Sequence, residues 1–527
     1  MPYKWRAAII GAVGLFMAVL DNTIVNVALP QMRIYFHTDL ATIQWVATAY
    51  FLAQAAVIPI VGYLADRVGS KVVFLSALAL FTVGSGLCIF APTETLLIIF
   101  RVIQGIGGGA LFPIVFALIF RVFPPSERGP ASSVVGVPVL LAPVFGPTIG
   151  GYLTQTFDWH AIFAVNLPIG VVVLIFGLIF LKGRTQEFTA DSGLVQDKKA
   201  FDLVGLILAM VGTTAFVYGV SEYSSYVFTD THVWPFIAGG GVLLLAFVLY
   251  ELRAKDPVMD VRLFGNYTFA IANILTWAVS AFLFGSLLLL PFFFETVQGK
   301  GPLDTGLIFI WQGVGSIVGV ILGGQLYNRT GPRTIAFVGM ALVAVASFGF
   351  TSLTVSTNSQ SLQLWLVFRG LGLGLTNIPL QTLAVSRLSN QALNRASSLV
   401  NVTRQIFSAV GISALTTYLT HQATSYGPSV AQTFQTTQLA TVQANCAAQL
   451  GNNPSGIQAC VQQASQTYIT QHASVLGLND TFWVVVIGTG LSAVLALFVG
   501  RDPNVQALKA AKARGETVEI KPAVIGE

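Results

Sequence analysis

Stretches of apolar residues long enough to cross about 30 Å of hydrocarbon recur along the whole chain, and no other feature limits its fold so tightly. They fall near 7–29, 42–64, 72–91, 95–119, 131–154 and 161–181, then 201–221 and 232–250, then 269–294, 305–326, 333–353, 361–386, 396–420 and 479–500, fourteen in all. In lipid every backbone N–H and C=O must find its partner inside the protein, so runs of this length are predicted to be helices. With 54% hydrophobic and 9% charged residues the chain cannot be a soluble globular protein. Lys4 and Arg6 before the first run imitate a signal peptide, but apolar residues resume after Asp21 as far as Leu29 without a small-residue cleavage site, so a retained first helix is expected.

Orientation follows from the basic residues. They are spread between the apolar runs rather than gathered on one segment, so the net charge of +5 reports topology and not a nucleic-acid partner. With the N-terminus in the cytoplasm, 22 of the 27 Lys and Arg fall on the cytoplasmic side, among them Arg67, Lys71, Arg121, Arg184, Lys198, Lys199, Lys255, Arg387, Arg395 and Arg501. Arg33 and Lys300 fall outside, and Arg101, Arg369 and Arg404 lie within predicted helices. One helix too many or too few would invert every later loop, so an even count with both termini cytoplasmic is expected.

An internal repeat accounts for the number. GYLADRVGSKVV at 62–73 returns as GQLYNRTGPRTI at 324–335, and ERGPASS at 127–133 returns as NRASS at 394–398. A similar displacement carries the first run onto the one beginning near 269. The expected architecture is an all-α membrane protein of two homologous six-helix bundles, 1–181 and 269–500, with two inserted helices and their linkers in 182–268 and a cytoplasmic tail at 501–527. A substrate path between the bundles follows from such a duplication.

Residues 136–151, GVPVLLAPVFGPTIGG, hold three prolines (Pro138, Pro143, Pro147) and four glycines, which would break a helix in water but survive where neighbouring helices re-satisfy the freed backbone groups. Ala142, Gly146 and Gly150 recur at every fourth position and clear one face for close approach of another helix. A kinked structural helix is the alternative reading.

Few residues can carry chemistry. Asp21 interrupts the first run, where an ionised carboxylate costs about 2.5–3.5 kcal/mol on insertion scales. It therefore either exchanges a proton or is held by neighbours such as Asn22 and Thr23. It lies roughly 20 Å from the cytoplasmic end of its helix, and Arg101 roughly 8 Å below the outer surface, a similar depth. Competition between a proton and Arg101 for the Asp21 carboxylate is one arrangement; a static pair or an arginine reaching to the interface are others. Glu222 is a second proton candidate, and Glu295 marks a solvated helix end. Residues 401–415, NVTRQIFSAVGISAL, are the second-copy counterpart of the proline-rich helix. There Asn401, Arg404 and Gln405 replace the prolines, as candidates for substrate or counter-charge contacts or for structural hydrogen bonds. Asn22, Gln104 and Gln312 are further cavity candidates, while Trp277, Trp311 and Trp365 are packing or lipid-facing until shown otherwise. Residues 421–478 contain no Asp, Glu, Lys or Arg and are expected outside, as amphipathic helices or a docking surface. Cys446 and Cys460 share this region, as thiols or, in an oxidising compartment, a disulfide. No nucleotide motif, metal cluster or nucleophile–base set is visible, so neither an ATP-driven pump nor an enzyme is expected, and no cofactor.

Several motifs go together. LDNTIVNVALP at 20–30, GYLADRVGSK at 62–71, RVIQGIGGGALFP at 101–113, DWHAIFAVNLPIG at 158–170 and the Ala-Pro then Gly-Pro-x-x-Gly-Gly element at 142–151 give the whole chain a resemblance to the fourteen-helix drug:proton antiporters of the major facilitator superfamily, and within them to the EmrB-like members. The resemblance implies a bacterial cytoplasmic (inner) membrane pump that exports amphiphilic or cationic drug-like compounds against protons by alternating access, and so antibiotic resistance. It implies proton exchange at Asp21 with Arg101, where Gln104 and Gly105 complete the motif, and a leak seal at Pro143, Gly146, Pro147, Gly150 and Gly151. Gly62, Asp66, Arg67, Gly69 and Lys71 would form a gate clasping the other bundle, with Asn328 replacing the acid in the second copy. A periplasmic adaptor would be the partner of the outer region. The rivals are a lipid or metabolite exporter of the same fold and a ligand-binding membrane sensor that does not transport.

Overall fold

Short loops carry the start and stop signals of the helices, and every described element is helical in the computed structural model. Residues 1–124, 127–182, 202–222, 233–254, 257–384, 393–451 and 453–499 are described. The linker basics Arg184, Lys198 and Lys199, then Lys255 and Arg387, and the tail from residue 500 onward lie outside the described residues. The chain runs α1 (Tyr3–Tyr35), α2 (Leu40–Val68), α3 (Ser70–Ile89), α4 (Glu94–Val122), α5 (Arg128–Thr156) and α6 (Ala161–Phe180). Then come α7 (Leu203–Glu222) and α8 (Trp234–Glu251), followed by α9 (Tyr267–Val297), α10 (Pro302–Thr330), α11 (Pro332–Phe348), α12 (Ser359–Ala384), α13 (Leu393–Thr437), α14 (Leu439–Leu450) and α15 (Pro454–Ala496). Among the described residues, 10 helices are long and apolar enough to cross a membrane.

Side-chain caps begin several of them. Asp39 accepts from the Thr42 N–H at 2.7 Å to open α2, Thr93 accepts from Leu96 at 3.3 Å to open α4, and Asn266 accepts from Thr268 and Phe269 to open α9. The turn from α2 to α3 is a single residue, Gly69, at φ +94°, and the turn from α10 to α11 is Gly331 at φ +92°. These are the corresponding glycines of the two copies of the repeat. Their ψ values of 147° and 158° complete a conformation open essentially to glycine alone.

The packing repeats as the sequence does. In the first group α1 lies on α5, α4 packs between α2 and α3, and α3 on α6. In the second group α9 lies on α13, α12 packs between α10 and α11, and α11 on α15. The groups meet along α2–α13 and α5–α10, and the inserted pair α7–α8 reaches both by seating α7 against α2 and α13. The small face of α5 is what lets it approach α1. A Cβ on Gly146 would strike the Thr23 hydroxyl, and one on Gly150 would stand 2.9 Å from Ile24 Cγ1. On the opposite side of α5, Thr148 fills the space over Gly306 of α10.

The helices around the outer region differ from the sequence expectation. The runs predicted to end at 420 and restart at 479 belong to helices of 45 and 43 residues, α13 and α15. At 1.5 Å per residue each is roughly 65 Å long, about twice the hydrocarbon thickness. Polar residues continue these helices beyond the apolar length, with Ala and Gln as frequent helix formers, and α13 runs on through Gly427 and Pro428. The extensions and α14 form a hairpin in which Cys446 and Cys460 are disulfide-bonded. Phe434 and Tyr468 meet across it at 5.2 Å, and the Tyr426 hydroxyl donates to Asp480 at 2.8 Å. Glu295 lies exposed in a π-helical turn at the end of α9.

Replacing Gly331 with alanine forces a side chain into the φ +92° turn and is expected to destabilise the protein by about 1–3 kcal/mol. Gly490→Ala, on a helical position with nothing within 4 Å, should leave thermal unfolding in detergent unchanged or slightly raised. Equal melting of the two variants would remove the conformational argument for the turn.

Candidate functional site

A polar cluster closes around Asp21 in the middle of the first group. Asp21 is 0% exposed and Arg101 1%. The Arg101 guanidinium donates to Asp21 Oδ2 at 2.5 Å, while Gln104 and Asn166 donate to Asp21 Oδ1 at 3.0 and 2.9 Å. Arg101 also donates to Gln104 Oε1 at 2.7 Å and to the Val46 carbonyl at 3.0 Å, and lies 3.9 Å from the centroid of the Tyr50 ring. Asn166 donates to Ser85 Oγ, which in turn donates to the Phe163 carbonyl. Five helices thus hold the pair: α1, α2, α3, α4 and α6. Glycines on α4 make this possible, since a Cβ on Gly105 would stand 2.6 Å from the Tyr50 carbonyl and one on Gly109 2.6 Å from Gln54 Cα.

The second group contains an incomplete copy. Arg369 on α12 is 1% exposed and donates to Ser286 Oγ on α9 at 2.6 Å, the helix pair equivalent to α4 and α1. A serine therefore stands where the first copy has its acid. Arg369 Nε and Nη1 have no hydrogen-bond partner among the described residues.

Between the groups lies a cavity of about 220 Å³. Four sequence candidates line it: Asn22, Gln312, Arg404 and Gln405. Two others do not. Gln104 is turned onto Asp21, and Asn401 is buried in α13, donating to the Ser397 carbonyl at 2.8 Å. Gln54, Ser316 and Ser408 are polar lining residues that sequence patterns did not single out, and Phe51, Phe112, Phe116, Phe284 and Phe309 supply the aromatic wall. The tryptophans lie elsewhere: Trp277 stacks on Phe407 at 4.7 Å, Trp311 faces outward, and Trp365 packs on Gly349. The cavity and the Asp21 cluster share helices. Ala18 and Asn22 flank Asp21 on α1, and Gly108, Gly109 and Phe112 follow Gln104 on α4.

At one end of the cavity the groups are latched. Asp66 pairs with Arg121 of its own group at 3.1 Å and with Arg395, at the start of α13, at 3.4 Å. Beside it the Gly62 N–H donates to Ser398 Oγ at 2.9 Å, and Ser397 Oγ donates to the Pro113 carbonyl at 3.1 Å. The other residues of this turn serve their own group: Arg67 donates to the Tyr63 hydroxyl at 2.7 Å and Lys71 to the Leu178 carbonyl at 2.9 Å. Glu222 ends α7, which packs against α2, α8 and α13; it is not among the hydrogen-bond partners of Asp21. Of the α5 signature, Gly146 and Gly150 face α1, a Cβ on Gly151 would stand 3.8 Å from the Leu303 N of α10, and Pro143 and Pro147 lie in the same uninterrupted helix.

Asn166 and Ser85 complete the Asp21 cluster without a sequence signal that marks them. Asn166 stands inside a recognised motif, but a buried asparagine in an apolar run has no visible partner until the helices are assembled.

The Major Facilitator Superfamily model matches residues 11–412. The chain is 30% identical over 516 residues to the uncharacterised MFS-type transporter YhcA of Bacillus subtilis, covering 97% of this chain and 95% of that protein. It is 36% identical over 421 residues to the multidrug resistance protein B homolog of Mycobacterium tuberculosis, covering 79% of this chain and 76% of that one. Among solved structures, the proton:xylose symporter XylE bound to 6-bromo-6-deoxy-D-glucose superimposes with a TM-score of 0.62 at 12% identity, over 96% of this chain and 99% of that one. An all-helical, multi-pass membrane protein with its cavity between two helical groups, this chain belongs to the Major Facilitator Superfamily and is a transporter of small molecules, not an enzyme.

Proposed function

We propose that this protein exports amphiphilic, drug-like compounds from the cytoplasm in exchange for protons, as a fourteen-span antiporter of the EmrB-like kind in the bacterial cytoplasmic membrane. The observation that carries the reading is the sealed Asp21–Arg101 pair beside the cavity. An isolated buried charge is costly, and a buried pair is tolerated when hydrogen bonds satisfy the remaining valences, as Gln104 and Asn166 do here. Protonation of Asp21 removes the charge that holds Arg101, and the four groups then need a new arrangement. Because α1 and α4 also line the cavity, that rearrangement alters the walls that hold the cargo. Cargo and proton then weaken each other's binding, and the coupling is reciprocal. The Mycobacterium tuberculosis relative's name as a multidrug resistance protein supports the choice of cargo.

In this mechanism the Asp66 latch closes the cytoplasmic end. Releasing it lets the α1–α6 and α9–α15 bundles rock about α5–α10 and α2–α13, with α5 excluding water through its contact with α1. The single acid of the latch makes the first copy the dominant gate, since Asn328 offers no charge at the equivalent turn.

Proton release on adding a lipophilic compound to the purified wild-type protein, read with a pH indicator, should disappear in Asp21→Asn while compound binding persists. Binding without release in the wild type would overturn proton exchange. A second test concerns the latch. With Cys446 and Cys460 bonded and Cys88 buried, a cysteine placed at the buried Ala65 is the reactive thiol. Its labelling from the cytoplasmic side should accelerate about fivefold in Asp66→Asn, the population shift expected for losing about 1 kcal/mol of ion pairing. An unchanged labelling rate would remove Asp66 from the gate.

A further inference from the structure

The polar lining of the cavity has one sign. Among the described lining residues Arg404 is the only charged one, and no carboxylate is present. Two acids on helices that line it are committed elsewhere: Asp21 is 0% exposed with both oxygens occupied, and Asp66 is paired with Arg121 and Arg395. Arg404 itself has no ion pair among the described residues; its guanidinium rests 4.3 Å from the centroid of the Phe112 ring. The other polar groups facing the space are neutral amides and hydroxyls: Asn22, Gln54, Gln312, Gln405, Ser316 and Ser408.

We propose that the cargo is an aromatic organic anion, its carboxylate, sulfonate or phenolate held by Arg404 and its ring stacked among Phe51, Phe112 and Phe116. This rests on the export reading above and replaces the cationic half of the sequence expectation, because an ammonium compound would enter the cavity against an uncompensated guanidinium. The planar fork of an arginine matches a two-oxygen anion and stacks on aromatic faces at the same time. Neutral amides adapt to varied ring substituents by presenting either the oxygen or the NH₂ group. A single fixed charge within an aromatic wall therefore selects the sign of the cargo while leaving its outline loosely defined. Exchange of an outgoing anion for an incoming proton moves positive charge inward on both legs, so an inside-negative potential favours export.

The test uses the full-length protein in lipid nanodiscs and calorimetric titration with 1-naphthaleneacetate, 1-naphthaleneethanol and 1-naphthaleneethylammonium. The acetate should bind about tenfold or more tightly than the ammonium compound, the size expected for a charge-assisted hydrogen bond, with the alcohol between them. Arg404→Gln should erase the preference, and Arg404→Lys should retain its sign. Ammonium binding equal to or tighter than acetate, a preference that survives Arg404→Gln, or no binding of any of the three would each overturn the proposal. Proton exchange is read separately in proteoliposomes. Its absence beside an intact anion preference sinks the exchange reading and not this one.

Discussion

A charged side chain in hydrocarbon is costly unless its charge and its hydrogen-bonding capacity are both met within the protein. In this chain that requirement falls on Asp21 and Arg101, one on α1 and the other on α4, and much of the first group is arranged to meet it. Gln104 and Asn166 occupy the second carboxylate oxygen, the Val46 carbonyl takes the guanidinium Nε, and Tyr50 covers its face. The glycines of α4 let α2 and α3 come close enough for those contacts. Small residues are therefore part of the electrostatics: a bulkier α4 would separate the groups that neutralise the pair.

Duplication followed by divergence is visible at two places. The second group keeps the arginine of the cluster as Arg369 but opposes it with Ser286, and it keeps the glycine turn as Gly331 but places Asn328 where the first copy has Asp66. In both cases the cation or the turn survives and the acid is lost. A backbone turn or a packed guanidinium serves the fold in either copy. Under the proposed exchange, a buried acid that gains and loses a proton, or a latch that opens, needs to exist only once. The interfaces α2–α13 and α5–α10 remain paired in the same manner in both groups, so the scaffold is symmetric while its charges are not.

The cavity and the cluster are neighbours without being one site. Ala18 and Asn22 look into the cavity from either side of Asp21, yet the carboxylate itself is sealed. The cavity therefore borders the walls of the cluster rather than its charge, and α1 and α4 are the helices the two have in common. Arg404, from the second group, is the one charged residue among the described cavity lining.

Sequence by itself determined what depends on position along one chain. Apolar runs marked the chain as an all-helical membrane protein, the repeat marked corresponding segments, and the depth of Asp21 and Arg101 put an acid and a guanidinium at one level. Run length marked the apolar spans but not where the helices end: the amphipathic helices expected at 421–478 are continuous with α13 and α15 and form a hairpin. Tertiary structure alone decided which polar groups meet. Gln104 and Gln312 look alike in sequence, but helix rotation turns one onto Asp21 and the other into the cavity. Asp66 finds Arg395 from the far end of the chain, and Arg404 finds no acid among the described residues. The physical reason is that hydrocarbon demands a partner for every buried polar group without naming it. The choice is made by the packing of side chains between helices, and that packing is a property of the assembled bundle.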